Sequence, residues 1–111
     1  MAGALKSIAG PAYLANTATN IYTPAASTIY TVLKHIHIAN VTAGAVTFTL
    51  YVGATGASAG GTELAKGYSI PANGVFDWYL ERKMLSTDFL VGLASAATSL
   101  VITVDGEMVV A

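Results

Sequence analysis

The chain of 111 residues contains no cysteine, only three prolines and few charged side chains. Without cysteine it can form neither a disulfide nor a thiolate metal site. Charged residues make up 10% of the chain, whereas about 25% is usual in a globular domain. Five Lys and Arg stand against six Asp and Glu, so the chain lacks the basic surface that nucleic-acid binding requires. We infer that much of the surface is covered in use, by copies of the chain or by a larger assembly.

Long hydrophobic runs are also absent. The mean hydropathy is +0.61, but Thr, Gly, Asn or a charge interrupts every apolar stretch before the roughly 18 residues that a spanning helix needs. The N-terminal segment contains Lys6 and only a short apolar run before Gly10-Pro11, which does not fit a secretory signal. We therefore expect no membrane partner and no secretion.

Alternating apolar and polar residues predict β-strands along most of the chain. In 45–53 the even positions are apolar and most odd positions are not, as in a strand with one buried face. In 28–40 the apolar even positions Val32, Ile36 and Ile38, interrupted by Lys34, are predicted to face the core, and His35 and His37 share the opposite face.

Glycine, asparagine and proline mark the connections between these strands. Asn40 to Gly44 joins the two strands above and predicts a β-hairpin. Gly53–Thr62 is rich in small residues and predicts a loop, and Pro71 to Gly74 predicts a turn. Gly106 indicates a β-bulge in the last strand.

Six or more short strands at this spacing, with no helical periodicity between them, predict an all-β fold. The expected architecture is an antiparallel β-sandwich of the jelly-roll or immunoglobulin-like type. The segment 1–27 is rich in Ala, Thr, Asn and Pro. Residues 1–19 are predicted to form an extended N-terminal arm that docks on a neighbour, and residues 20–111 the sandwich domain.

His35 and His37 form the one pattern that suggests a metal. Two histidines two positions apart on a strand share a face, but zinc needs three or four ligands, and a carboxylate would have to complete the set. We expect these histidines to hydrogen-bond to neighbouring side chains instead, with no metal and no cofactor. A cupin-like metalloenzyme that uses both histidines is the alternative hypothesis.

No other pattern points to catalysis. Ser and Thr are abundant, but none lies in a nucleophile-elbow sequence. The carboxylate pairs, Asp77 with Glu81 and Asp105 with Glu107, lie in no recognisable cleft motif. We therefore expect a protein that is not an enzyme.

Residues able to contact a neighbouring subunit occur in three places. Tyrosine is chosen because it is enriched in protein interfaces. The cluster of Glu81, Arg82 and Lys83 is chosen because it holds three of the eleven charged side chains. Trp78, between Phe76 and Leu80, is predicted to pack in the core. The predicted contact residues are Lys6, Tyr13, Leu14, Tyr51, Glu81, Arg82 and Lys83.

Three motifs occur in a characteristic order: Ile36 to Asn40 (I-x-I-x-N), Ile70 to Gly74 (I-P-A-N-G) and a closing strand from Ile102 to Gly106. Over residues 20–107 the sequence resembles small virion proteins of tailed bacteriophages. The resemblance implies a β-sandwich with a structural role, above all a capsid decoration or cementing protein.

This role implies particular partners and a particular location. The expected partners are other copies of the chain, as a trimer, together with the major capsid protein or other virion subunits. The protein would lie in the virion after assembly in the host cytoplasm. The alternative role is a tail or head–tail accessory subunit, or a receptor-binding or glycan-binding module that uses exposed Tyr and Trp side chains.

Overall fold

The computed structural model describes residues 5–53 and 62–110, which form eight β-strands and no helix. None of these residues belongs to a helix that could cross a membrane. The strands are β1 (Leu5–Tyr13), β2 (Thr19–Tyr22), β3 (Thr28–Asn40), β4 (Val46–Gly53), β5 (Glu63–Ile70), β6 (Val75–Leu85), β7 (Phe89–Ala94) and β8 (Leu100–Val110). Most of the predicted loop 53–62 lies outside the described residues.

The strands form two four-stranded antiparallel sheets. Sheet A has the order β1-β8-β3-β6, and sheet B has the order β2-β7-β4-β5. The first and last strands pair, and every connection except β4–β5 crosses from one sheet to the other. This is the strand order of a jelly roll, so the predicted all-β sandwich is confirmed and the immunoglobulin-like alternative is not adopted.

The core lies between the inward faces of the two sheets. Ile36 and Ile38 of sheet A and Phe48 and Leu50 of sheet B are almost fully buried. Each such side chain contributes about 1.5–3 kcal/mol through removal of apolar surface from water. Trp78 is half-buried and packs against this core, as predicted.

The predicted hairpin between β3 and β4 is wrong. The two strands do not pair with each other because β3 belongs to sheet A and β4 to sheet B. Residues 41–45 instead turn the corner between the sheets. Asn40 holds this corner: its side-chain Nδ2 donates to the carbonyl oxygens of Gly44, Ile70 and Pro71, and its Oδ1 accepts from Thr42.

The predicted inward face of β3 is wrong over its first half. Thr31 and Leu33 are buried there and Val32 is not. The reason is a β-bulge: on β8, Gly106 pairs with Leu33 and the adjacent Asp105 pairs with His35, so Lys34 is an extra residue on β3. The bulge predicted in the last strand at Gly106 is therefore found on β3 instead, opposite that glycine.

The predicted arm is extended from residue 5 to residue 13, and this part contributes a strand to the sandwich. Residues 5–13 form β1, the edge strand of sheet A, which pairs with β8. Ile8 and Ala9 of β1 pack against the core. Leu14 follows directly and is 2% exposed. At least this part of residues 1–19 is bound to its own chain.

Gly106 allows β3 and β8 to approach closely at the bulge. A Cβ atom at this position would overlap the backbone carbonyl oxygen of Val32. We expect Gly106→Ala to lower the free energy of unfolding by about 1–3 kcal/mol through overpacking, measured by urea denaturation. Gly44→Ala is the matched control because a Cβ there meets no atom within 4 Å. Equal effects of the two substitutions would contradict this account.

The corner at Asn40 provides a second stability test. Asn40 is 3% exposed, and Asn40→Ala would leave the buried carbonyl oxygen of Ile70 without this donor. We expect a loss of about 1–3 kcal/mol in the free energy of unfolding. Asn16→Ala, at an exposed loop position, should change stability by less than about 0.5 kcal/mol. A neutral Asn40→Ala would show that the corner does not depend on this side chain.

Candidate functional site

A cluster of ionisable side chains lies at the centre of the outer face of sheet A. Strand pairing creates it: His37 of β3 lies opposite Asp77 of β6, and His35 lies between Tyr79 of β6 and Asp105 of β8. Because the bulge precedes His35, both histidines face away from the core, as the sequence predicts. We call these five residues the histidine–aspartate cluster.

Asp77 is the centre of this cluster. Its Oδ1 lies 2.8 Å from Nε2 of His35 and 2.6 Å from Nδ1 of His37. A carboxylate oxygen only accepts, so both imidazole rings donate to it. These hydrogen bonds, first that of His37 and then that of His35, hold the pKa of Asp77 below its ordinary value. The expected hydrogen bonding of the histidines is thus present.

His35 is held on three sides. Tyr79 stacks on its ring with a centroid separation of 4.2 Å and an interplanar angle of 2°. Asp77 contacts Nε2, and Oδ2 of Asp105 lies 3.8 Å from Nδ1. Sequence reasoning raised a carboxylate partner for the histidines without choosing one. The choice of Asp77, the approach of Asp105 and the stacking of Tyr79 follow only from strand register.

A second charged group lies next to this cluster on the same strands. Nζ of Lys34, the bulged residue, donates to Glu81 at 2.6 Å and lies 3.9 Å from a carboxylate oxygen of Glu107. The hydrogen bond from Lys34, and then its charge, lower the pKa of Glu81, and the same hydrogen bond raises the pKa of Lys34. This pair links β3 to the edge strand β6.

The predicted contact cluster of Glu81, Arg82 and Lys83 lies on β6. Glu81 pairs with Lys34 of the same chain, and Nζ of Lys83 lies 4.7 Å from the ring centroid of Tyr30. Within the part of the chain that the structure describes, the exposed Arg82 guanidinium forms no ion pair. Of the three charges, Arg82 is therefore the one most available to a neighbouring subunit.

The other predicted contact residues are dispersed. Lys6 and Tyr13 are exposed on β1, and Tyr13 is 55% exposed. Tyr51 is half-buried on β4 and faces away from the core. Leu14 lies in the core of its own chain, which leaves Tyr13 rather than Leu14 available to a neighbour.

An apolar row that the sequence did not indicate crosses the outer face of sheet A. Tyr13 pairs with Val101, Val101 with Ala39, and Ala39 with Val75. The row ends at the edge strand β6, where Val75 is 60% exposed. We call these four residues the apolar row.

Aromatic side chains also collect where the edge strands β5 and β6 meet. Tyr68, Phe76 and Trp78 lie within 6.2 Å of one another in successive ring contacts. Together with Ala65 and Asp77 they line an open pocket of about 330 Å³. The alternative role predicted from sequence uses exposed Tyr and Trp side chains, and the structure brings Tyr68 and Trp78 to one opening.

The pH dependence of stability tests the Lys34–Glu81 pair. Because the folded pKa of Glu81 is lowered, its contribution to stability is present above the ordinary pKa of 4.5 and is lost as the pH falls through the folded value. We expect the difference in the free energy of unfolding between the wild type and Glu81→Gln to be constant near neutral pH and to shrink below pH 4.5. In a Lys34→Met background the difference should be absent. A difference that persists at low pH would contradict the pairing.

Comparison with known proteins gives limited likeness. No protein-family model and no curated protein matches the chain. Among the solved structures that are similar to it, two are described as a pentameric capsid protein isolated from metagenomic phage sequences. Each is 20% identical over 91% of this chain with a TM-score of 0.42. The chain spans 61% and 59% of their lengths, about three fifths of each.

Proposed function

We propose that this chain is a non-enzymatic structural protein of a bacteriophage virion, and that it acts as a capsid decoration or cementing protein. It stabilises the shell through contacts with other copies of itself and with the major capsid protein. The observation that carries the proposal is the apolar row, which crosses sheet A and ends on its edge strand β6.

The fold is compatible with this role, although a fold alone does not assign a function. Jelly rolls occur in viral capsid proteins, lectins and cupins. A cupin-type centre needs metal ligands inside the sandwich, whereas His35 and His37 lie on the outer face of sheet A. The choice between a capsid role and a receptor-binding or glycan-binding role therefore rests on the surface residues of the chain.

The apolar row has the properties of a contact surface. Contiguous exposed apolar side chains on a small protein mark interaction sites, and this chain has few charges with which to keep such a surface soluble. An edge strand with free hydrogen-bonding groups also offers a template for pairing. On β6, Val75 and Tyr79 are 60% and 76% exposed. These features support a surface that neighbouring subunits cover.

The far end of sheet A supports the same interpretation. Ile29, Leu85 and Val110 are all exposed there, at the paired ends of β3, β6 and β8. The charged residues of β6 lie between these two apolar regions. Such an arrangement favours contacts at both ends, with the central charges setting the register between subunits.

The aromatic pocket supports the alternative role of a tail accessory or receptor-binding subunit. Tyr68, Phe76 and Trp78 offer ring faces around an open concavity, and aromatic surfaces of this kind bind ligands at low cost in side-chain entropy. The two roles differ in stoichiometry. A shell protein is present at many symmetry-equivalent lattice positions, whereas a tail subunit is limited to the symmetry of the tail.

Oligomeric state tests the contact surface. We expect the wild-type protein to be oligomeric in size-exclusion chromatography with light scattering, and Val75→Lys to shift it towards the monomer because a charge in the apolar row is costly to bury. Ala18→Lys adds the same charge at an exposed loop position and should leave the oligomer intact. A wild type that remains monomeric at high concentration contradicts self-association.

Particle composition tests the role itself. Quantitative mass spectrometry of purified virions should find the chain in a copy number close to that of the capsid lattice positions. A copy number matching the tail symmetry would favour the alternative role. Absence of the chain from the particles would overturn both.

A further inference from the structure

We propose that His35, His37 and Asp77 form a binding site for one divalent transition-metal ion, Zn²⁺ in the first instance, on the outer face of sheet A. This inference does not depend on the proposed virion role. It departs from the expectation that the two histidines only hydrogen-bond to neighbours.

The three side chains already converge with suitable donor atoms. One ring nitrogen from each of His35 and His37 and a carboxylate oxygen of Asp77 lie within 4.8 Å of one another, and the nitrogens that contact Asp77 are Nε2 of His35 and Nδ1 of His37. In a tetrahedral zinc site, bonds of about 2.0–2.1 Å place neighbouring donors about 3.3 Å apart. Asp77 lies 2.8 Å and 2.6 Å from the two nitrogens. To bind one ion, the carboxylate oxygen of Asp77 would move about 0.5–0.7 Å away from each nitrogen and the two nitrogens would approach each other by up to about 1.5 Å, with water completing the coordination.

Asp105 supplies the outer partner that metal-binding histidines typically have. A ligating imidazole usually donates its other N–H to a carboxylate, and Oδ2 of Asp105 lies 3.8 Å from Nδ1 of His35. Without a metal, a neutral His35 that donates from Nε2 to Asp77 has no proton for Asp105. A metal on Nε2 moves that proton to Nδ1, so both carboxylates gain a partner. Tyr79, stacked on the ring, keeps this orientation.

The local charge also favours a cation. Within the described ranges, Asp77 and Asp105 form ion-pair contacts with His35 and His37 alone. Lys34 contacts Glu81 and Glu107 instead. When both imidazoles are neutral, the cluster carries two negative charges. A divalent ion would neutralise them without displacing an existing Lys or Arg contact.

The ligands lie on two neighbouring strands, which gives the ion a structural effect. His35 and His37 belong to the central strand β3, Asp77 to the edge strand β6, and Asp105 to β8. A bound ion would cross-link β3 to β6. Since it binds only the folded arrangement, it should raise the thermal midpoint as its concentration rises.

Isothermal titration of the tag-free, EDTA-treated full chain with ZnCl₂ tests the site. We expect one Zn²⁺ per chain and a higher thermal midpoint, with each neutral ring keeping its proton on the nitrogen that does not bind the ion. Titration with Co²⁺ should produce the visible absorption of a four-coordinate nitrogen and oxygen site. Nitrogen-15 spectra of the rings should report ligation at Nε2 of His35 and Nδ1 of His37. Absence of zinc binding by the wild type would overturn the proposal.

Matched variants separate a built site from surface binding. His37→Gln and Asp77→Asn should each weaken zinc binding at least about 100-fold, and Asp105→Asn about 10-fold, as removal of an outer partner typically does. Glu107→Gln, on β8 two residues from Asp105, should bind zinc as the wild type does. Zinc binding that is unchanged in His37→Gln, or weakened equally in Glu107→Gln, would overturn the proposal. Thermal midpoints in EDTA establish whether each variant is folded. If His37→Gln is not folded, the zinc affinity of Asp105→Asn and the ring spectra of the wild type test the proposal in its place.

Discussion

The pairing of β3 with both of its neighbours is the constraint on which the rest of sheet A depends. This strand contacts β8 on one side and β6 on the other along most of its length. The bulge at Lys34, opposite Gly106, reverses the alternation of β3 in its middle, so that Leu33 and Ile36 can both face the core. Because Gly106 permits the close approach of β8, β3 can turn its side chains to the core both before and after the bulge at Lys34.

The same bulge creates the polar surface. It leaves Lys34, His35 and His37 together on the outer face, where the strand register brings carboxylates of β6 and β8 to them. Lys34, His35 and His37 each have a carboxylate partner within the chain, so the exposed centre of the sheet is polar. A chain with few charges thus concentrates most of them on three adjacent strands.

Local sequence pattern predicted the strands well and their pairing poorly. Alternation in 45–53 and the turn at 71–74 are visible because both depend on neighbouring residues. The false hairpin at Asn40 arose because turn residues do not distinguish a hairpin from a corner between sheets. The inverted first half of β3 depends on Gly106, which is distant in sequence, and the partners of His35 and His37 depend on register. The histidine face was predictable, whereas the residues that complete the site were not.

The apolar row and the histidine–aspartate cluster are adjacent on one face of one sheet. On β3 they are separated by a single inward-facing residue, Ile38, between His37 and Ala39. A subunit that covers the row would also remove water from the cluster, and desolvated charges are costly unless they are paired. The charge state of the cluster and the affinity of the row are then thermodynamically linked, because each alters the free energy of the other. A change that neutralises the charges of Asp77 and Asp105 should strengthen the binding of a subunit over the apolar row. A change that leaves the two carboxylates charged and unpaired should weaken that binding.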